Sequence, residues 1–307
     1  MRQAVKMSSP DYSQQGFTAI RVDLDGAVAV ATLCRAKERN TFSAALHGDL
    51  IKAYDLFDRD DRVRVVVLTA EPTAPAFCAG AELSDGWLGM FLPEAEKEGE
   101  HAHRDGGGQV TLAIFRCRKI TICAVNGHAV GVGVTALQLP CDIRFVWGGA
   151  KLAFPFVRRG IAPEAASSYL LPRLIGHSRA LSLFLTGATV SPNSPLLAGL
   201  YHSVFPTREE VFPAALALAK DLAQNTSQTA VAVTKGLVWR GPDNIEETHL
   251  LDSRAIRVLG AAGDAAEGAR AFKERRLPKM TDKLSDHLTP WMPWWREIDV
   301  NHRKAKL

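Results

Sequence analysis

The sequence predicts an α/β fold that gives way to a helical C-terminal region, and three observations carry that prediction. Residues 63–68 and 120–125 are short runs that are apolar at nearly every position, as expected of parallel strands covered on both faces. A helical pattern lies between the hairpin-like start of the chain and the first of these runs, which implies a crossover unit. Beyond about residue 208 the apolar residues recur with a period near 3.6, the mark of amphipathic helices.

In chain order, residues 17–22 alternate, Asp25-Gly26 supplies a turn, and 27–33 form a second strand. A charged loop, 34–41, follows. Ser43 caps a helix to about Phe57, with Leu46, Leu50, Ala53 and Phe57 on one face. The strand at 63–68 leads into a small-residue segment ending at Leu83. Residues 84–109 read as irregular, with an acidic run (Glu94, Glu96, Glu98, Glu100) next to a lid and Gly106-Gly107-Gly108 at the end. A helix to Cys117 precedes the strand at 120–125. A Gly-rich loop, an apolar helix at 134–139 and two short strands at 142–146 and 151–154 come next. Pro163-Glu164 reads as a helix start, with Pro at the first position and an acid favourable at the dipole. A strand at 201–205 separates this part from helices at 208–224, 229–239 and 244–276, the last broken near 260–264 by glycines. Three regions are expected: a core, 1–210; a helical region, 211–280; and a tail, 281–307, carrying Trp291, Trp294 and Trp295.

Composition excludes several classes. At 47% hydrophobic and 23% charged, the 307 residues form an ordinary globular chain, long enough for a large core. Five cysteines without a CxxC pair fit neither a disulfide framework nor a zinc ribbon, and no His/Cys/Asp cluster has metal spacing. The net charge of +4 allows a phosphorylated ligand, but no basic stripe points to nucleic acid. No apolar run reaches a membrane span and no signal peptide opens the chain, so a cytoplasmic protein is expected.

Chemistry is concentrated in two segments of one design. Each is a buried strand running into a loop of Gly and Ala: Phe77-Cys78-Ala79-Gly80-Ala81-Glu82-Leu83, and Asn126 to Gly133. Side by side, such loops can aim two backbone N–H donors at one oxygen, an oxyanion hole. Alone, either loop reads as a tight turn with close helix packing. Nucleotide-binding patterns are absent: the glycines at 127, 131 and 133 have the wrong order for a dinucleotide fold, and there is neither a Walker lysine motif nor a G-x-S-x-G elbow.

Taken in order, these segments resemble the crotonase (enoyl-CoA hydratase/isomerase) superfamily. Arg35 to Asn40 resembles its R-P-x-x-R-N-A element, Phe77 to Leu83 its F-x-A-G-A-D-[LI] segment, and Ala124 to Gly133 its A-x-x-G-x-A-x-G-G-G loop. Cys141-Asp142, Leu185-Thr186-Gly187, Ala198-Gly199-Leu200 and the stretch from Glu267 to Arg276 match later marks. The resemblance covers about 17–280 and leaves the tail unexplained. It implies a spiral of ββα units, a C-terminal helical region that builds trimers or hexamers, and an acyl-CoA thioester substrate whose enolate is held by two backbone N–H groups. Those donors fall on Ala81 and Val132, the latter replacing a usual Gly. The CoA-binding elements fall on Ala36, Lys37, Arg39, Ala79, Ala81, Glu82 and Leu83, with Lys37 and Arg39 as phosphate partners. No cofactor is implied beyond the CoA of the substrate.

The two hydratase glutamates are missing: Thr135 and Phe156 stand at their positions, and neither can act as acid or base near neutral pH. Glu164, in Gly160-Ile161-Ala162-Pro163-Glu164-Ala165-Ala166-Ser167-Ser168-Tyr169, resembles the single catalytic base of the peroxisomal-type 3-enoyl to 2-enoyl-CoA isomerases. An isomerase is therefore expected, with a hydratase and a non-catalytic acyl-CoA binder as alternatives. His128 reads as a packing residue, and His47, His101 and His103 as exposed. Asp85 is the reserve candidate for the proton carrier.

Overall fold

The computed structural model describes residues 9–83 and 103–300. Strands β1 (Ile20–Asp25) and β2 (Val28–Leu33) form the expected antiparallel hairpin, and α1 (Ala44–Arg59) starts at Ser43, whose side chain accepts from Leu46 N–H. From β3 (Val65–Ala70) onward the chain alternates between two sheets. The long strands β3, β5 (Ile120–Val125) and β7 (Ile143–Trp147), with the three-residue β10 (Ser203–Phe205) at the edge, join β2 in parallel, giving the order β1-β2-β3-β5-β7-β10. Its short strands β4 (Ala76–Cys78), β6 (His128–Val130) and β8 (Leu152–Ala153) pair in parallel in a second sheet, closed by antiparallel β9 (Thr189–Val190). Each long strand up to β7 is thus followed by a short one and then by helix: α2 (Gly106–Arg116), α3 (Val132–Thr135), or the pair α4 (Ser167–Ile175) and α5 (His177–Thr186). This is a spiral of ββα units.

The continuous apolar run of β3 has a simple cause. Its period of two places Val66, Leu68 and Ala70 in a core shared with Leu46, Leu50 and Phe57 of α1. Val65 and Val67 face the other way, into a core completed by Val211, Ala215 and Ala219 of α6 (Val211–Asn225). The alanine stripe lets that helix approach the sheet closely.

Helices α7 (Gln228–Arg240), α8 (Ile245–Gly260) and α9 (Gly263–Glu274) follow, with the break where the glycines predict it. They leave apolar side chains in water, Ile245 at 78%, Ile256 at 72% and Phe272 at 85% exposure. After α10 (Leu284–His287) the tail lies along α7 and α2: Trp294 donates its indole N–H to Arg240 O, and Arg116 and Arg104 donate to Ile298 O and Val300 O. Among the described residues, no helix is long and apolar enough to cross a membrane.

Candidate active site

Pairing of β4 with β6 sets the site's framework. The two strands run parallel, so the loops at their carboxyl ends, 79–83 and 131–135, leave side by side. Gly133 is pressed against the end of β4; a Cβ there would stand 2.6 Å from Cys78 O. The loop at 35–42 joins them through backbone bonds: Ala79 N–H donates to Arg39 O (3.1 Å), Phe42 N–H to Gly80 O (2.8 Å) and Glu82 N–H to Phe42 O (3.1 Å). Asn40 fixes that loop by accepting from Arg35 N–H and donating to Ala76 O. Among the described residues, the N–H groups of Ala81 and Val132 donate to no protein acceptor. Both residues line one cavity of about 510 Å³.

Glu164 lines the same cavity. It does not start a helix: α4 begins at Ser167, and Ala165 and Ala166 lie in the left-handed region at φ 60° and 51°. Competing bonds explain the departure from the expected helix start. Ala165 N–H is drawn to Asp105 Oδ1 (3.1 Å), and the Glu164 carbonyl takes Ser167 N–H (3.1 Å) and Oγ–H (2.6 Å). The Glu164 side chain accepts from the Thr135 hydroxyl on Oε1, and its Oε2 lies over the backbone of Gly107. Burial pushes the Glu164 carboxyl up to about 8; the Thr135 hydroxyl opposes this, while the neighbouring Asp105 adds to it.

Of the residues expected at the site, Ala79, Ala81, Leu83, Val132 and Glu164 meet at the cavity. Ala36, Lys37, Arg39 and Glu82 are not in its lining; Lys37 and Arg39 are exposed on the adjoining loop, and Glu82 faces Arg35 at 3.8 Å. Phe156, only 4% exposed, walls the cavity where a hydratase would have an acid. His128 packs as expected, accepting Lys151 N–H on Nδ1. Asp85, His101 and the acidic run lie outside the described residues.

Two expectations are corrected and one residue is new. His47 is half-buried and lines the cavity, because it follows Ser43 by one helical turn and turns its ring edge-on to Phe42, 6.3 Å away. His103 is likewise half-buried in the lining. Asp105 escaped the sequence reading altogether. It caps α2 by accepting from Gly108 N–H, and it lines the cavity beside Glu164. The legible signal was an Asp three residues ahead of the third glycine, a capping pattern ahead of an apolar face.

The family model described as enoyl-CoA hydratase/isomerase matches residues 23–283. Enoyl-CoA hydratase AFT3-1 of Alternaria alternata is 42% identical over 278 residues, 90% of either chain. The 1,2-epoxyphenylacetyl-CoA isomerase of Escherichia coli is 31% identical over 261 residues, covering 85% of this chain and 97% of its own. The crystal structure of an enoyl-CoA hydratase from Bacillus anthracis superposes with a TM-score of 0.73 at 29% identity, over 86% of this chain and 99% of the other.

Proposed function

We infer the reaction from a settled premise: this chain belongs to the enoyl-CoA hydratase/isomerase family. It is an acyl-CoA enzyme of the crotonase type. We propose that it moves the double bond of a 3-enoyl-CoA to the 2-position. The Glu164 carboxylate removes a proton from C2, the N–H groups of Ala81 and Val132 take the charge of the enolate oxygen, and Glu164 returns the proton at C4. The CoA portion lies along the 35–42 loop and the 79–83 turn, with Lys37 and Arg39 meeting its phosphates and Ala36, Ala79, Glu82 and Leu83 flanking its path. The observation that carries this reading is the buried Glu164 carboxyl in the same cavity as two N–H groups that have no acceptor among the described residues.

Glu164→Gln keeps the shape of the side chain and removes its basicity. It is expected to bind acyl-CoA as the parent does and to lose at least ~100-fold in turnover of a 3-enoyl-CoA, the lower end of what acid–base groups contribute. Activity within a few-fold of the parent would move the proton to another residue.

A second reading is hydration of a 2-enoyl-CoA. The name of the Alternaria relative, an enoyl-CoA hydratase at 42% identity, favours it. Initial rates on a 3-enoyl-CoA and a 2-enoyl-CoA, measured on one preparation, separate the two.

A further inference from the structure

We propose that Asp105 is the second acid–base group of this site, the base that activates water when the substrate is a 2-enoyl-CoA, with Glu164 as the acid. This rests on the hydration reading above. It answers a question that reading raises, since the two positions where hydratases carry glutamates hold Thr135 and Phe156.

Placement is the first ground. Asp105 and Glu164 line one cavity, and Asp105 Oδ1 accepts the N–H of Ala165, the residue next to Glu164. The division of roles follows from their surroundings. Asp105 Oδ1 is held by two backbone N–H donors, from Gly108 and Ala165. Among the described residues Glu164 accepts only from the Thr135 hydroxyl, and burial favours its neutral form. Glu164 is accordingly assigned the acid role and Asp105 the base role. The Ala165 bond ties the capping aspartate to the residue after Glu164, so the two residues are fixed relative to each other through the backbone.

The step balances without a co-reactant. Water gives one proton to the Asp105 carboxylate as its oxygen bonds to C3. The C2–C3 π pair moves into the enolate, whose oxygen lies at the N–H groups of Ala81 and Val132. C2 then takes the Glu164 proton. Asp105 is left protonated and Glu164 ionised, and transfer of that proton from Asp105 to Glu164 within the cavity restores the starting state. The net change is addition of water across the double bond.

Hydration and isomerisation consequently need opposite states of Glu164. Isomerisation requires the carboxylate, so its kcat/KM rises with pH through about 8; hydration requires the acid, so its kcat/KM falls through the same range. The other ionisable groups around Glu164 are Cys78 on β4, His47 on α1, His103 and Arg104 ahead of α2, and Arg159 in the cavity wall.

The test is Asp105→Asn in the full-length protein, assayed with a 2-enoyl-CoA and a 3-enoyl-CoA across pH 6–10. Asn still caps α2 and still accepts Ala165 N–H, so thermal melting reports whether the fold is kept. The expected result is a loss of at least ~100-fold in hydration. Isomerisation falls by less, roughly tenfold at most, and its rise moves to lower pH because a neighbouring negative charge has gone. Three results overturn the proposal. If the parent adds no water to a 2-enoyl-CoA, the hydration reading fails with it and the isomerase reading stands. If the parent hydrates and Asp105→Asn hydrates within a few-fold, Asp105 alone is wrong. If both reactions fall equally with no change in pH profile, Asp105 only holds the turn.

Discussion

Gly107→Ala puts the proposed base under direct steric test. A Cβ at this position would overlap Glu164 Oε2 and come within 3.1 Å of Glu164 Cδ and 3.2 Å of Val132 Cγ2. Restoring an ordinary contact of 3.4 Å forces the carboxylate oxygen back by roughly 1 Å or more. That motion pulls Oε1 from the Thr135 hydroxyl and the carboxyl from Asp105. Displacement of about 1 Å at a reacting group costs on the order of 100-fold, or about 2.7 kcal/mol of barrier. Ala also replaces Gly inside a helix, which by itself stabilises by about 1 kcal/mol. Activity and stability are therefore expected to part company: kcat/KM for an enoyl-CoA drops at least ~100-fold while the melting temperature holds or rises. Gly48→Ala is the control. It sits on the exposed face of α1 with nothing within 4 Å of the added carbon, and it is expected to leave the rate unchanged. The assay is initial rate against substrate concentration at fixed pH, with thermal melting of each variant. A Gly107→Ala rate within a few-fold of the parent would refute the placement of the Glu164 carboxyl at the reacting carbons.

Thr135→Val removes the one side-chain donor to the Glu164 carboxylate among the described residues while keeping its volume. With that support gone, the carboxyl holds its proton to a still higher pH, so the rise of isomerase kcat/KM moves upward, opposite to the shift in Asp105→Asn; an unmoved profile contradicts the bond. The exposed apolar side chains of α8 and α9, Phe272 and Ile256 among them, are expected to be covered by further copies of the chain, and light scattering is expected to give a trimer or hexamer. A stable monomer at micromolar concentration contradicts this.

Long elements were legible because their patterns outlast local chemistry. β3 announces itself because five of its six positions serve two cores at once, and the break between α8 and α9 falls at Gly260 and Gly263, where the helical pattern predicts it. β4 and β6 did not read as strands. Three residues are too few to display a period of two, and each dissolves into a loop of Gly and Ala. Yet their pairing is what brings the two donor loops together, a juxtaposition the shared design of the loops did foretell. Lys37 and Arg39 were legible as charges and not as cavity groups, because a loop's distance from a cavity has no local signature.

The turn at 164–166 shows why the centre of the site is the hardest part to read. Local preference favours a helix beginning at Pro163-Glu164, and two alanines in the left-handed region cost on the order of 1–3 kcal/mol each. Three distant partners hold the chain away from that preference: Asp105 takes Ala165 N–H, Thr135 binds the carboxylate, and Gly107 leaves room for Oε2. Each of the three has its own local reading, as a cap, a helix residue and a flexible glycine, and none points to Glu164. Brought together, they place a carboxyl out of water beside a second carboxyl, the arrangement whose electrostatic cost the chain would not retain for packing alone. The strained turn is thus the structural counterpart of the proposed proton transfer: a relaxed helix start at Glu164 would withdraw the base from the cavity that Ala81 and Val132 line.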